Sequence, residues 1–378
     1  LGDADPQVRF EVLRWIADHK LATHRGYVEA SLAKGDYDYR LFLAHMACLD
    51  SLDKVRKPDQ PNVARARKLF SNENLPGNLH AHLVRYLASE KDAFELPQLL
   101  QWSHSQNSAL QHETIWHLRN STGSKPRQRL AELALDKKAP RPIRLQATAA
   151  LGQDEPAADT LLQLATSSDP ALRDEALRAL VGAHFEASGT AALDSLAHNA
   201  PAAAPLVNRV LGKPFAQKKP PADSDSAAWL ERLDDLSGQP DPAAGRRIFF
   251  HSKLARCGSC HQVDGRGTRV GPNLSFIGRS ISRARLLENI LQPSKELAPH
   301  YRPWTIVMDS GLQHTGIALR RGGNAEVYLG IDGREIRLDK RKIRHKHSSH
   351  LSLMPAGLAH TLTLPELRDL LAFLMECK

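Results

Sequence analysis

The sequence predicts a mainly α-helical protein. An α-solenoid is expected over residues 1–213 and a linker with a short helix over 214–240. A second, mainly helical domain is expected over 241–378, with a small antiparallel β insert near 298–350. Three observations predict this architecture. Helix-opening segments recur through the first 213 residues. A stretch rich in Pro, Lys and Ser, residues 214–226, breaks the pattern. Beyond it the apolar period changes from helical to alternating and back.

The repeating segments are Asp5–Arg9, Asp36–Arg40, Pro76–His80, Asn107–Gln111, Pro140–Arg144 and Asp169–Arg173, spaced by 31, 40, 31, 33 and 29 residues. A degenerate seventh copy lies near Pro201–Leu211. Asp5 and Asp169 have the chemistry of helix N-caps, each followed by a proline suited to the first helical turn. Apolar residues then recur at helical spacing, as in Leu172, Ala176, Leu177, Leu180 and Val181. A second helix precedes each segment, for example Ala157–Ala165. Two helices per period of about thirty residues describe stacked helix pairs. The D-P-x-V/L-R signature resembles HEAT-like repeats, closely at Asp5 and Asp169 and loosely at Pro76 and Asn107. That resemblance implies a concave surface able to bind protein, and a spacer role is equally open.

After the linker, a short helix is expected over Ala227–Leu236, and Asp241-Pro242 opens a new helix by the same capping logic. Of the 51 Lys+Arg and 42 Asp+Glu, 22 and 12 fall in 241–378, which leaves 29 against 30 before it. The basicity therefore belongs to the last third, as a solvated surface or as a face for an acidic partner. The cations are not interleaved with stacking aromatics, so no nucleic-acid partner is expected. No apolar run is long enough for a transmembrane segment. The opening residues already read as mid-array, and the chain is expected to be a piece of a longer protein.

Four cysteines, Cys48, Cys257, Cys260 and Cys377, do not form a disulfide framework. Cys48 reads as a buried core residue. Cys257-Gly-Ser-Cys260-His261 is a C-x-x-C-H pentapeptide. This spacing suits haem attachment: two thiols reach the two vinyl groups, and the next residue sits under the iron. The pentapeptide alone leaves a zinc site with Cys377, His345, His347 or His350 open, and also a thioredoxin-like thiol pair.

The surroundings separate these readings. Gly245 and Phe249 lie on the helix before the motif, and Gly271-Pro272-Asn273-Leu274 follows it. Met354-Pro355 comes later, and the chain ends in a helix with Asp369–Leu374. In this order the residues resemble the cytochrome c family. Gly245 permits close approach of the first and last helices, with Leu370 and Phe373 packing on Gly245 and Phe249. Thr363 and Glu366 form a capping box for the last helix.

The resemblance implies a single covalent haem c. Cys257 and Cys260 would form the thioethers and His261 would be the proximal ligand. The Pro272 carbonyl would accept the His261 Nδ1 proton. Met354 would be the distal ligand, with His345, His347, His350 and His360 as rivals. The 93 residues between His261 and Met354 exceed those of compact cytochromes. The excess reads as strands: Trp304, Ile306 and Met308 alternate, then Val327, Leu329 and Ile331. Asp332-Gly333 forms a hairpin turn before Ile336 and Leu338, and Gly322-Gly323 forms another.

A C-x-x-C-H domain with a β insert behind such repeats resembles the C-terminal module of bacterial multidomain proteins, often preceded by a dehydrogenase-like domain. The function this implies is one-electron transfer between an upstream catalytic domain and a redox partner protein, in the periplasm or another extracytoplasmic space. The alternative is a haem-based sensor or a structural haem on an interaction scaffold. No nucleophile elbow, paired-carboxylate motif or phosphate loop is present in the sequence.

Overall fold

The computed structural model describes residues 1–55, 62–70, 75–88, 90, 93–153, 157–215 and 220–378. The chain divides into two compact units, Leu1–Gln153 and Asp154–Lys378. Among the described residues it is mainly helical, with one five-stranded antiparallel sheet and a two-stranded ribbon. None of these helices is long and apolar enough to cross a membrane.

The first unit holds α1 (Pro6–Asp18), α2 (Arg25–Lys34), α3 (Tyr39–Leu52), α4 (Val63–Phe70), α5 (Gly77–Tyr86), α6 (Leu96–Trp102), α7 (Ser108–Asn120), α8 (Ser124–Leu135) and α9 (Arg141–Ala150). Each repeat segment opens an odd-numbered helix. Asp5 caps α1 through the Gln7 amide, and Asn107 caps α7 through the Leu110 amide. In the second copy the cap is Asp38 rather than Asp36. Pro76 and Pro140 open α5 and α9 without any side-chain cap. Each even-numbered helix packs on the odd one after it, and odd helices pack on one another in succession. The core of α1, α2, α3 and α5 includes Leu13, Leu32, Phe42, Met46, Cys48 and Leu83.

The second unit begins with α10 (Ala158–Ala165), α11 (Pro170–Ala179), α12 (Ala187–Asn199) and α13 (Ala204–Val210), paired in the same way. Next come α14 (Ser226–Asp234), α15 (Pro242–His251), α16 (Ile277–Ser280), α17 (Arg283–Leu291) and α18 (Leu364–Glu376). Residues 154–156 and 216–219, the latter within the expected linker, lie outside the described residues.

The short helix α14 is not held off in solvent. Trp229 and Leu233 are fully buried, and the helix packs on α17 and α18. Arg368 of α18 donates to the carbonyls of Leu236, Ser237 and Gly238 at 3.1, 3.2 and 2.9 Å, satisfying groups just beyond the end of α14.

Helices α15 and α18 cross backbone to backbone. A Cβ on Gly245 would stand 1.9 Å from the Asp369 carbonyl oxygen, so only glycine fits there. Phe249 meets Phe373 edge-on with ring centroids 5.7 Å apart. The capping box forms: the Thr363 amide donates to Glu366 Oε2 at 2.8 Å and the Glu366 amide to Thr363 Oγ1 at 3.4 Å.

The same Glu366 carboxylate accepts from Arg178 Nε of α11 at 3.0 Å and Arg209 Nη2 of α13 at 2.7 Å. Glu175 of α11 accepts from Arg247 of α15 at 2.6 Å, both buried. Two helices expected to close the repeat array are therefore ion-paired to the helices around the C-x-x-C-H segment. Spacing within one element gave no sign of these partners.

The strands are β1 (Gln262–Val263) and β2 (Arg266–Gly267), forming the ribbon, and β3 (Pro303–Met308), β4 (Gln313–Arg320), β5 (Ala325–Gly330), β6 (Glu335–Asp339) and β7 (Ile343–Ser348). The sheet order is β6-β5-β4-β3-β7. The turn Lys340–Lys342 joins the two edge strands, so the sheet curls around its own core.

That core is Ile306, Tyr328 and Leu338, with Trp304, Met308, Ala318, Ile336 and Ile343 packed on it. The expected alternation in β3 is present, but β5 departs from it. Tyr328 faces the core because the register sets it opposite Ala318 and Ile336. Val327 is buried away from that core cluster, and Ile331 is 61% exposed beyond the strand. Tyr328 is tolerated inside because its hydroxyl donates to the buried Glu326 carboxylate at 2.6 Å. Lys346 completes that pair at 2.5 Å.

Candidate functional site

The C-x-x-C-H segment forms one 3₁₀ turn, Cys257–Ser259, at the end of the loop after α15. The turn brings the His261 amide to the Cys257 carbonyl at 2.9 Å and the Cys260 amide to the same oxygen at 3.1 Å. Both thiols are therefore presented from one tight turn, free and half-buried.

The segment is stitched to the chain that follows it. The Thr268 amide donates to the Gly258 carbonyl at 3.2 Å, Gly271 to Cys260 at 2.7 Å and Leu274 to Gln262 at 2.8 Å. A Cβ on Gly267 would stand 2.2 Å from the His261 carbonyl oxygen, and its φ of 93° is left-handed, so two constraints select glycine there. Arg256 and Asp264, at φ 47° and 48°, flank the motif and are two of four non-glycine residues with positive φ among the described ones. Strain of this kind concentrates where a loop is held for a purpose.

His261 is oriented from two sides. Its Nδ1 lies 2.9 Å from the Pro272 carbonyl oxygen. A carbonyl only accepts, so Nδ1 carries the proton and Nε2 presents its lone pair. The ring lies against Gly271, where a Cβ would fall 2.6 Å from Cε1 and 2.8 Å from Nδ1. Desolvation holds the imidazole below its usual pKa, partly offset by the Pro272 hydrogen bond, and so favours the neutral ring that a metal needs. Burial pushes the Cys257 thiol up to about 12. A nucleophilic thiol of thioredoxin type requires the opposite shift.

Cys257, Cys260, His261 and Pro272 thus come together. Met354 lies elsewhere in the chain, on the loop between β7 and α18, with its amide bonded to Ser352 Oγ at 3.0 Å. That loop is tied to the segment after α17 by the Ser352 amide on Ser294 Oγ at 3.0 Å.

The rival histidines are differently placed. His345 and His347 are exposed neighbours on β7, with ring centroids 5.5 Å apart. His350 is exposed. His360 donates from Nε2 to Asp223 at 2.8 Å and packs on Trp229. No group of three or more His, Cys, Asp or Glu able to hold a metal ion occurs among the described residues.

Exposed large apolar side chains stand on the segments beside the motif and beside Met354. Leu254 precedes it by three residues, Phe276 follows Pro272 by four, and Leu351 precedes Met354 by three, at 39%, 49% and 70% exposure. Sequence reasoning did not find the platform role of Gly271 or the clasp made by Thr268. The signal available was a glycine on each side of residues 268–270.

No protein-family model matches the chain, and no curated protein matches it.

Proposed function

We propose that residues 241–378 form a cytochrome c-type domain that holds one haem c, with Cys257 and Cys260 as thioethers and His261 as proximal ligand. Met354 is the distal ligand in this reading. The observation that carries it is the His261 ring, fixed between Gly271 and the Pro272 carbonyl with Nε2 left for iron. The residues fit the group in three further respects. Two thiols project from one turn, apolar side chains are exposed on the flanking segments, and the α15–α18 crossing brackets the whole.

Met354 is preferred over His360, whose Nε2 is engaged by Asp223. The bound haem would supply one-electron chemistry, and a Met ligand raises its potential relative to a second His. The chain's own residues hold the His261 tautomer and orient its ring. The helices of residues 1–213 are read as a HEAT-like α-solenoid, on the strength of their successive stacking within each unit. The electron source is an upstream catalytic domain or a separate redox protein, and the compartment is periplasmic or otherwise extracytoplasmic.

The test is a visible spectrum of oxidised and reduced protein produced with a haem-attachment system, before and after acid-acetone extraction. Retained haem with a Met–iron charge-transfer band that disappears in Met354→Ala supports the reading. A band unchanged in that variant removes Met354 as ligand. A five-coordinate iron turns the function toward ligand sensing or peroxidase-like chemistry. Absence of retained haem ends the proposal.

A further inference from the structure

The β insert carries a disproportionate share of the charge. Residues 331–346 contain seven Lys+Arg and three Asp+Glu, a net +4 of the chain's +9. Glu326, just before this stretch, is buried and neutralised by Lys346. Asp339 is taken by Arg341 at 3.0 Å and Glu335 by Arg320 at 2.9 Å. Arg337, Lys340, Lys342 and Arg344 are exposed and in no ion pair among the described residues.

These cations share one border of the insert. Arg337 lies on the edge strand β6, Lys340 and Lys342 on the turn joining the two sheet edges, and Arg344 at the bulge that opens β7. The other end of β6 leads back to the site. A Cβ on Gly333, in the β5–β6 turn, would lie 3.9 Å from Val270 and 4.0 Å from Thr268. Thr268 is the residue whose amide holds the Gly258 carbonyl, between the two cysteines. Arg334, with 87% of its side chain exposed, stands at that same turn, paired with Asp332 at 3.8 Å. A stripe of free cations thus runs from Arg337 through the Lys340–Lys342 turn to Arg344, on a border whose far end reaches the clasp of the C-x-x-C-H segment.

We infer that this stripe is the docking face for an acidic protein that exchanges electrons with the site, a reading that rests on the haem proposed above. Unpaired surface cations on a sheet edge steer an anionic partner and fix its register. The β6 edge leaves backbone groups without a strand partner, which cations protect from self-association without closing the face. A nucleic acid fits less well. The aromatic rings of the sheet are spent, Tyr328 in the core and Trp304 under Arg321 at 3.9 Å, so none is offered for base stacking.

The test compares the holoprotein with the triple variant K340E/K342E/R344E and with a control of equal charge change, K125E/K137E/K138E, on exposed lysines of the first unit. Poly-L-glutamate is the binding probe. Ferricyanide, which takes one electron from the reduced protein and becomes ferrocyanide, is the kinetic one. In the stripe variant at low ionic strength, polyglutamate affinity and the ferricyanide rate should each fall about tenfold, and the rate difference should vanish in about 1 M salt. The control should stay within about twofold on both readouts.

Equal effects in both variants would show only net charge and overturn the docking face. Wild-type protein that binds duplex DNA more tightly than polyglutamate at matched charge would also overturn it. If no haem is retained, the ferricyanide arm fails with the haem reading. The polyglutamate arm still decides whether the stripe binds acidic polymers. Should the triple variant not fold, K342E alone with salt-dependent polyglutamate binding by the wild type gives the same decision.

Discussion

Replacing Gly245 by alanine tests the helix crossing on which the candidate site rests. The new Cβ would lie 1.9 Å from the Asp369 carbonyl oxygen, 2.5 Å from its carbon and 2.9 Å from the Leu370 nitrogen, all backbone atoms of α18. Ordinary contact begins near 3.4 Å, so the helices must separate by more than an ångström. Around that point Ile248, Phe249, Leu370 and Leu371 are at most 2% exposed, so the gap opened cannot be filled by solvent-facing groups.

Overpacking a core costs about 1–3 kcal/mol, and a backbone clash belongs at the upper end. Alanine recovers about 0.5–1 kcal/mol of helix propensity. The net is a loss of about 2–2.5 kcal/mol, or a Tm lowered by about 4–10 °C for a unit of this size. Differential scanning calorimetry measures it, with Gly26→Ala as the control. Gly26 lies in α2 with nothing within 4 Å of a built Cβ, and alanine there should be neutral or stabilising. A Gly245→Ala protein as stable as wild type would refute the backbone contact and the packing of α18 against α15.

Gly271→Ala places a methyl 2.6 Å from His261 Cε1 and will push the ring off the Pro272 carbonyl. Retained haem, read by absorbance after extraction, should fall well below half of wild type, while helix content is unchanged. Desolvation pushes the Glu366 carboxyl up, but the stronger pairing with Arg209 and Arg178 holds it down to about 2. Its contribution is present above the unfolded carboxylate pKa and is lost as pH falls through the folded value. Denaturant titrations should therefore show a wild-type loss between about pH 5 and 2 that Glu366→Gln lacks. The variant itself should be less stable by about 3 kcal/mol near neutrality, because Arg209 loses its carboxylate partner while Arg178 keeps only Glu175.

Burial raises Asp369 to about 6, the Asp241 amide opposing it in part. Its stabilising protonated form is fully present below the unfolded value and is lost as pH rises through about 6. Asp369→Asn should flatten the pH 4–6 limb. Finally, a fragment of residues 241–378 leaves Glu366 without Arg178 and Arg209 and Arg247 without Glu175. It should melt at least about 10 °C below a fragment starting at 154, a loss that stranded buried charges make natural.

Features that depend on neighbours in sequence were legible. The N-caps Asp5, Asp169 and Asp241, the capping box at Thr363 and the alternation of Trp304, Ile306 and Met308 occur where local chemistry puts them. The His261–Pro272 hydrogen bond was expected from the cytochrome c resemblance, not from local chemistry. What escaped depends on distant partners. Glu366 reads as half of a capping box, and nothing local says that Arg178 and Arg209 will bury it. Trp229 reads as one aromatic on a short helix, although it is fully buried beside His360.

The β5 alternation failed for a different reason. Glu326, Val327 and Tyr328 are all buried, so the strand has no solvent face to set the period. Hydropathy then favours Val327 and Leu329, whereas register places Glu326 and Tyr328 inside.

The Gly245–Asp369 contact also has a meaning in time. Synthesis at about 5–20 residues per second puts roughly 6–25 s between the emergence of two residues roughly 120 positions apart. The first helix of the domain must wait that long for the last. Cys257, Cys260 and His261 are made early in that interval, so the turn that carries them exists for many seconds before α18 can pack on α15.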